Sequence, residues 1–401
     1  MDLRSGLPFW TVNDGLIRTY PRLDEDVRCT VAVVGGGITG ALVGYHLTEA
    51  GIDAVVLDKR EVGWGSTAAS TALLQYELDT TLSDLTARRG AEVASRAYLA
   101  CRDAVKRLGA MANGLAMPTM FEQKQSLYLA GTERDRDVLQ RECELRRAIG
   151  ISVDFLVESD IAEQFPFRRP AALLSADAAQ VDAYALTHAL FDDATRRGLR
   201  VFDRTNVTHL DATSAGVALT TADGCIVRAR FLVFATGYET HDYLATPVAT
   251  LASTYAIASE PLPSIDNWGH DQCIIWEHAR PYLYLRTTSD HRVIIGGEDE
   301  AFRDGDARDR LIPEKAERLV ERFSSLFPDV RFEIAFAWAG TFGETADGLA
   351  YIGDQSDWPS TFFALGYGGN GITFSLLAAE IIRDAILGKR HADAELFRFG
   401  R

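Results

Sequence analysis

Near the N-terminus, short apolar runs alternate with apolar residues at helical spacing. The runs VAVV (31–34) and DAVVLDK (53–59) flank residues 35–51, whose apolar positions recur every three or four residues. Unbroken runs of branched apolar residues are typical of strands buried on both faces. A strand–helix–strand order implies a crossover between parallel strands. The run RFLVFATGY (230–238) predicts a further strand of this kind.

A different pattern occupies the middle of the chain. Between about residues 250 and 300, four segments with turn residues between them predict antiparallel strands, namely YAIASE, CIIWE, YLYLRTT and RVIIGGE. Helical periodicity predicts helices at 82–113, 132–149 with Thr132 as N-cap, 183–198, 313–328 on the surface, and after the glycine turn at 366–371. Residues 1–28 are interpreted as an arm on the first domain, and 338–354 (WAGTFGETADGLAYIGD) as a loop.

Length and charge narrow the class of protein. A chain of 401 residues exceeds the size at which one core usually keeps growing, which favours two domains. The formal net charge of −16 disfavours nucleic acids and anionic membranes as partners. No apolar run approaches the roughly 18 residues of a membrane span, and no secretory signal is recognisable. We therefore expect a cytoplasmic protein without a membrane span.

Cysteine and histidine spacing argues against structural metals and disulfides. The five cysteines are far apart and form no CxxC pair, and the eight histidines form no HxxxH or HxH pair. A disulfide framework or a zinc site needs such spacing. We expect no metal, and a reducing compartment.

A glycine motif follows the first strand and opens the first helix. In Gly35-x-Gly37-x-x-Gly40, the first glycine makes the tight turn, the second lets the backbone approach a pyrophosphate, and the third packs helix on strand. The helix N-terminus supplies partial positive charge. Asp58, at the end of the second strand, is placed to accept hydrogen bonds from a ribose. This context predicts a dinucleotide site, with a purely structural turn as the alternative.

The residues after Asp58 favour FAD over NAD. Residues 63–72 (GWGSTAASTA), here called the wrapping segment, are small and hydroxylated, which suits an extended FAD but serves no special need of an NAD enzyme. The turn in FLVFATG offers a second close approach. The predicted cofactor-binding residues are Gly35, Gly37, Ile38, Thr39, Gly40, Asp58, Lys59, Gly65, Ser66, Thr67, Ala68, Ser70, Thr71, Ala72, Val207, Ala235, Thr236, Gly237, Gly340, Gly368, Gly369, Asn370, Gly371, Ile372 and Thr373.

These motifs resemble the D-amino acid oxidase superfamily of flavoproteins, which includes glycine and sarcosine oxidases. The resemblance covers nearly the whole chain and rests on VVGGGITGALVGYHL, GWGSTAAST, QVDAYAL, FATG, RVIIGG, WAG…DGLAYIGD and GYGGNGIT. Within it, SGLPFW (5–10) and STALLQYELD (70–79) are most similar to bacterial relatives of gamma-glutamylputrescine oxidoreductase. The resemblance implies an α/β fold (α+β overall), in which an FAD-binding Rossmann-like βαβ domain is interleaved with a mixed or antiparallel-sheet substrate domain.

The expected domain division follows from this architecture. The FAD-binding domain is discontinuous and takes residues 1–90, 170–245 and 338–401. The substrate domain takes residues 91–169 and 246–337. The loop 338–354 is expected to border both the flavin and the substrate, with Gly340 near the ring.

The resemblance also implies an activity. Family members oxidise the carbon that bears an amine by hydride transfer to flavin N5, and water hydrolyses the resulting imine. Such catalysis depends mainly on orientation and on charge stabilisation. The turn at 368–373 is expected to face the flavin N1–O2 edge with free N–H groups. Since GSTAAST and the 338–354 loop contain neither histidine nor cysteine, non-covalent FAD is expected.

The substrate side departs from relatives that oxidise α-amino acids. In those relatives, the loop after WAG typically holds an arginine that clamps the carboxylate, whereas this chain has Thr-Phe-Gly-Glu at 341–344. Arg286 is the candidate replacement, with a surface or strand-pairing arginine as the alternative. Tyr282 is the candidate pocket tyrosine, with core packing as the alternative. Glu77 and Glu344 are candidates for holding a cationic amine, with ordinary solvated or paired carboxylates as the alternative.

The sequence therefore predicts an FAD-dependent amine oxidoreductase with a small amine as substrate and oxygen or another acceptor as oxidant. Three alternatives stay open at this point. They are a D-amino acid or glycine oxidase or dehydrogenase that uses another cation, a non-catalytic flavin-binding or electron-transfer subunit, and an NAD-linked dehydrogenase.

Overall fold

The computed structural model describes residues 3–244 and 247–401. Its strands are β1 (Arg4–Gly6), β2 (Val27–Val34), β3 (Ala54–Leu57), β4 (Leu73–Leu74), β5 (Glu122–Leu129), β6 (Val153–Val157), β7 (Ala171–Gln180), β8 (Arg200–Phe202), β9 (Val207–Thr213), β10 (Gly216–Thr221), β11 (Ile226–Phe234), β12 (Thr250–Ser259), β13 (Ile274–Glu277), β14 (Leu283–Thr287), β15 (Val293–Ala301), β16 (Ile334–Glu344), β17 (Tyr351–Gln355) and β18 (Trp358–Leu365).

The helices lie between these strands. They are α1 (Phe9–Asn13), α2 (Ile38–Glu49), α3 (Ser66–Ala69), α4 (Leu82–Arg89), α5 (Ala91–Gly114), α6 (Glu133–Ala148), α7 (Glu158–Gln164), α8 (Ala183–Arg196), α9 (Gly305–Arg310), α10 (Ile312–Leu326), α11 (Gly371–Ile386) and α12 (Ala394–Phe397). Short 3₁₀ turns occupy Gly237–Tyr243, Asp266–Trp268 and His270–Gln272. Among the described residues, none of these helices is both long and apolar enough to cross a membrane.

The first sheet is mainly parallel and has the order β17-β18-β11-β2-β3-β8. Strands β18, β11, β2, β3 and β8 run parallel, as the apolar runs predict, while β17 pairs antiparallel to β18. Along β2, Val31 and Val33 enter one core cluster and Ala32 enters another. Burial on both faces explains why residues 31–34 of this strand include no polar side chain.

The second sheet has the order β1-β16-β12-β15-β14-β13-β5-β7-β4, with β6 beside β7. Its pairs are antiparallel except β13 with β5, so the predicted mixed or antiparallel sheet is confirmed. Helix α10 covers one face through Ala316, Leu319, Phe323 and Leu326. The helix predicted at 313–328 is therefore present as α10, but one of its sides is buried in the core of the protein.

Two predicted elements differ from the structure. The helix expected at 82–113 is two helices, α4 and α5, because Gly90 takes φ 85°, outside the helical region. The loop expected at 338–354 begins as strand: β16 extends to Glu344 and pairs with β12 along nearly its whole length. Small residues such as Ala339, Gly340 and Gly343 concealed this strand, since they lack the alternation of branched and polar residues.

The N-terminal arm, defined here as residues 3–14, joins the second sheet and not only the first domain. Strand β1 pairs antiparallel with β16, which places Arg4 opposite Gly340 and Gly6 opposite Trp338. Strand β7, from a segment assigned to the FAD-binding domain, also pairs within the second sheet. The domain division stays a prediction, and its boundary at 245–246 lies outside the described residues.

Candidate functional site

A cavity lies where the two sheets meet, and most of the predicted cofactor residues line it. They come from the glycine motif, the wrapping segment, the end of β11, β16 and the start of α11. The lining contains Gly35, Gly37, Ile38, Thr39, Asp58, Lys59, Gly65, Ser66, Thr67, Ser70, Thr71, Ala72, Val207, Ala235, Thr236, Gly237, Gly340, Gly368, Gly369, Asn370, Gly371 and Ile372. Tyr282 and Glu77 line it as well.

Five predicted residues lie outside this lining, namely Gly40, Ala68, Thr373, Glu344 and Arg286. Gly40 packs against the turn that precedes it, and Ala68 and Thr373 are buried. Glu344 is half-exposed and pairs with Arg280 at 3.4 Å. Of the predicted substrate-side residues, Tyr282 and Glu77 therefore reach the cavity.

Steric contacts explain the glycines of the motif. A Cβ atom on Gly35 would lie 2.3 Å from the carbonyl oxygen of Ala235, and one on Gly40 would lie 1.8 Å from that of Gly35. Gly37 caps α2 without a side chain, and a Cβ there would lie 2.9 Å from Oγ1 of Thr67. The motif thus leaves a side-chain-free cradle at a helix N-terminus, the arrangement that binds pyrophosphate.

Asp58 is held by the backbone at the end of β3. Its Oδ2 accepts from the N–H of Gly36 at 2.6 Å, and its Oδ1 accepts from that of Arg60 at 2.8 Å. Burial raises the pKa of this carboxyl to about 6, against the lowering effect of the two N–H donors. Each oxygen retains accepting capacity toward the cavity, which is what a ribose contact requires.

The wrapping segment presents hydroxyls inward and carbonyls outward. The buried hydroxyl of Ser66 has no partner among the described residues, and Oγ1 of Thr67 accepts from the N–H of Ile38 at 2.9 Å. On the outer side, Nε1 of Trp338 donates to the carbonyl of Ala69 at 2.9 Å. The unpaired hydroxyl marks where a polar ligand group fits.

The start of α11 forms another wall of the cavity. A helix leaves the N–H groups of its first turn without intrahelical partners, and Gly371 and Ile372 of that turn line the cavity. The side chain of Asn370 donates to the carbonyls of Gln75 and Glu77, which joins this helix to the wrapping segment's exit. Three of the expected free groups are taken: the N–H of Gly369 donates to Asp79 at 2.8 Å, that of Gly368 donates to the carbonyl of Gly343 at 3.0 Å, and that of Asn370 donates to the carbonyl of Tyr367 at 3.2 Å.

Carboxylates dominate the opposite end of the cavity. Glu77, Asp79 and Asp299 all line it. Oε2 of Glu77 and Oδ1 of Asp299 are buried and have no partner among the described residues. Burial raises the pKa of Glu77 and of Asp79, and it raises the pKa of Asp299 to about 6. Burial outweighs the opposing influence of Arg146 on Glu77 and of Arg280 on Asp79 and Asp299.

Aromatic side chains complete this end. Tyr282, which immediately precedes β14, and Tyr284 within it both line the cavity with Trp276, in keeping with the predicted alternation. The hydroxyl of Tyr282 donates to the backbone carbonyl of Asp79 at 3.2 Å. The ring of Tyr284 packs over Gly296, where a Cβ atom would lie 2.2 Å from the ring. Aromatic faces beside carboxylates suit a cationic or amine ligand.

Arginines near the cavity are committed to other partners. Arg286 is buried, and its Nη1 donates to the carbonyls of Thr71, Ala72 and Val181. It fastens the end of the wrapping segment instead of facing a substrate. Arg280 stacks over the ring of Tyr282, 3.7 Å from its centroid, and is largely exposed.

A buried arginine, Arg146, pairs with Glu77. Nη1 of Arg146 lies 3.5 Å from Oε1 of Glu77, and its Nε donates to Glu142 at 2.9 Å. Glu142 also accepts from the N–H groups of Leu82 and Ser83 at the start of α4. Two buried carboxyl groups share one guanidinium, so this cluster has one acidic group more than it has cations.

Sequence reasoning missed Asp79, Asp299 and Arg146. Asp79 stands two positions after Glu77 in LLQYELD, and this spacing is a signal that places both on one side of an extended segment. Asp299 stands in GGEDE and Arg146 in a helix rich in charge, so neither has a sequence signal that separates it from surface residues.

Comparison with known proteins points to the cofactor for which the cavity-lining residues were predicted. Residues 30–385 match the DAO family model, described as FAD dependent oxidoreductase. Glycine oxidase of Geobacillus kaustophilus is 27% identical over 377 residues, covering 91% of this chain and 94% of that protein. Gamma-glutamylputrescine oxidoreductase of Escherichia coli is also 27% identical, over 413 residues, covering 94% and 87%. Identity alone therefore does not favour either of these relatives.

A solved structure shows the same fold. The crystal structure of glycine oxidase from Geobacillus kaustophilus superimposes with a TM-score of 0.79 and 24% identity, and the match covers 94% of this chain and 99% of that chain.

Proposed function

The chain belongs to the DAO family of FAD-dependent oxidoreductases, and from this premise we propose that it oxidises a C–N bond of an amine that carries no α-carboxylate. The glycine cradle, the helix N-termini of α2 and α11, Asp58 and the unpaired hydroxyl of Ser66 fit FAD. When bound, FAD supplies the hydride acceptor of the reaction.

The charge of the substrate end carries this proposal. Among the described lining residues, the only cations are Lys59 and Arg60, and both pair with Glu239 at 2.9 Å beside the glycine cradle. The substrate end instead has Glu77, Asp79 and Asp299. A substrate carboxylate placed there meets three acidic groups and no cation among the described residues that line that end, whereas an ammonium group is attracted.

The chain's own residues then have mainly orienting tasks. Tyr282, Tyr284 and Trp276 exclude water from one side of the substrate and position its apolar carbons. Glu77 attracts the amine, and a buried carboxylate with a raised pKa is also placed to accept the proton that the ammonium must lose before oxidation. Holding the neutral amine in one orientation is the larger contribution.

Anaerobic reduction tests the proposed substrate class. The purified holoprotein is mixed without oxygen with a panel of alkylamines, diamines and gamma-glutamyl amines, and separately with glycine and D-amino acids. Bleaching of the flavin absorbance by amines is expected, and bleaching only by glycine or D-alanine contradicts the proposal. Admitting air afterwards shows whether oxygen or another carrier accepts the electrons.

A glycine or D-amino acid oxidase is the second candidate, and the glycine oxidase relative favours it. It requires a cation for the carboxylate, for which Arg280 is the nearest candidate because it stacks on Tyr282. The same panel separates the two activities. A protein that no amine and no amino acid bleaches is instead a flavin-binding or electron-transfer subunit.

Replacing Glu77 with glutamine is expected to weaken amine binding. Removing one buried charge next to a cationic ligand costs about 1.5–3 kcal/mol, so the amine concentration for half-maximal flavin bleaching rises roughly ten-fold or more. Stopped-flow absorbance under anaerobic conditions measures this concentration. Glu344→Gln is the matched control, because Glu344 lies outside the cavity lining and is half-exposed. Equal behaviour of the two variants contradicts a role of Glu77 in amine binding.

Non-covalent attachment of FAD is a separate prediction. The cavity lining of the described residues contains neither histidine nor cysteine, the residues that attach flavin covalently in some relatives. Acid precipitation is expected to leave the yellow colour in the supernatant. A yellow pellet after washing contradicts the prediction.

The five cysteines are free, which supports a cytoplasmic, reducing location as part of the proposal.

A further inference from the structure

The N-terminal arm lies directly over the wall of the cofactor cavity. Strand β1 pairs with β16 opposite the cavity-lining residue Gly340, and the N–H of Thr341 donates to the carbonyl of Leu3 at 3.0 Å. Leu3 itself lines the cavity. The arm is well packed, since Leu3, Phe9 and Trp10 are each at most 4% exposed.

Side chains of the arm hold the wrapping segment by its outward carbonyls. Nε of Arg4 donates to the carbonyl of Trp64 at 2.9 Å, and Nε1 of Trp10 donates to that of Ser70 at 2.7 Å. These two carbonyls flank the short helix α3. Trp338 on β16 binds the carbonyl of Ala69 between them. The arm therefore grips both ends of the segment whose inner face lines the cavity.

The wrapping segment needs such external support. Helix α3 has four residues, far fewer than a helix needs to be stable alone, and its N-cap, Gly65, offers no side chain to cap it. Its conformation therefore depends on contacts from outside. We propose that the N-terminal arm acts as a strap that holds the wrapping segment in its cofactor-binding conformation, with Trp10 and Arg4 as positioning residues for FAD retention.

This arrangement couples arm docking to cofactor affinity. When the arm is docked, the wrapping segment is already ordered, so FAD binding does not have to supply the free energy of ordering it. When the arm is undocked, this free energy is subtracted from the binding free energy of FAD. The coupling is reciprocal, so bound FAD must also stabilise the docked arm. The proposal concerns cofactor retention only. It holds or fails independently of which substrate the enzyme oxidises.

The same substitution, tryptophan to phenylalanine, made at two different positions tests the strap. Trp10→Phe removes one N–H donor and keeps an aromatic ring in the core. Trp268→Phe is the matched control, because Trp268 is 3% exposed and its Nε1 donates to the carbonyl of Cys273 at 2.8 Å, away from the cavity lining. Titration of apoprotein with FAD, followed by quenching of FAD fluorescence, gives the Kd. Trp10→Phe is expected to raise it about three- to ten-fold, and adding Arg4→Met raises it further.

The control variant is expected to lose thermal stability and keep the parental Kd. If the Trp10 variants also keep the parental Kd, the arm serves general stability and the proposal is overturned. A second measurement needs no substitution: amide hydrogen exchange of residues 3–14 in the unmodified apoprotein and holoprotein. Slower exchange of the arm in the holoprotein supports the strap, and equal exchange in both forms overturns it.

Discussion

Replacing Gly40 with alanine is expected to give a protein that does not retain FAD. The new Cβ atom would lie 1.8 Å from the carbonyl oxygen of Gly35 and 3.0 Å from its carbonyl carbon. Both are backbone atoms of the turn itself, so no flexible side chain can move aside. This steric clash is relieved only if α2 moves away from β2 at the glycine motif. We expect a cost of about 3 kcal/mol or more, a large part of the roughly 5–15 kcal/mol that stabilises a domain.

Two measurements define this result. The ratio of flavin to protein absorbance after gel filtration reports cofactor retention, and thermal unfolding reports stability. Gly114→Ala is the control, because Gly114 ends α5 and a Cβ atom there has no neighbour within 4 Å. The control is expected to match the parent. A yellow, stable Gly40→Ala protein would show that the motif tolerates a separated helix, against the packing described.

Arg146→Met is expected to destabilise the protein about as strongly. The side chain of Arg146 is 1% exposed, and those of its partners Glu142 and Glu77 are 0% and 1% exposed. Methionine leaves two buried carboxylates without their shared cation, which typically costs about 3–5 kcal/mol. The pKa of Glu77, already raised by burial, should rise further because Arg146 is the largest influence that lowers it. Weaker amine binding should accompany the loss of stability.

Urea unfolding of the holoprotein measures this loss. Arg331→Met is the control, since Arg331 pairs with Glu333 at 2.7 Å while 86% exposed, and such surface pairs contribute about 0–1 kcal/mol. Adding Glu142→Gln to Arg146→Met should recover part of the stability, because one unpaired charge is removed. A cost for Arg146→Met no greater than that for Arg331→Met would contradict the description of a shared buried cation.

The cofactor side was readable in the sequence because backbone constraints fix residue types there. Gly35 must avoid the carbonyl of Ala235, and Gly40 must avoid that of Gly35, so only glycine fits. The strand of VAVV, buried on both faces, gives an equally direct signal. These local requirements stand at short spacing, and the parallel crossover and the dinucleotide cradle were predicted from them, whereas FAD was predicted from the wrapping segment and the family resemblance.

The substrate side was less readable because it assembles residues distant in sequence. Glu77, Asp299 and Arg146 come from three separate elements, and only the folded chain brings them to one cavity or its rear wall. Arg286 illustrates the same difficulty. Its position in β14 suggested a cavity residue, but its guanidinium turns to the carbonyls of Thr71, Ala72 and Val181.

Strand β16 has a consequence for engineering. One edge of it pairs with β1 and the other with β12, while Gly340, Thr341 and Phe342 line the cavity and Trp338 holds Ala69. Residues 338–342 therefore line the cavity, hold the wrapping segment and pair with the arm. Grafting this strand from a relative to change specificity would alter cofactor loading at the same time. When segments are exchanged between members of the family, the N-terminal arm and β16 should therefore be transferred together.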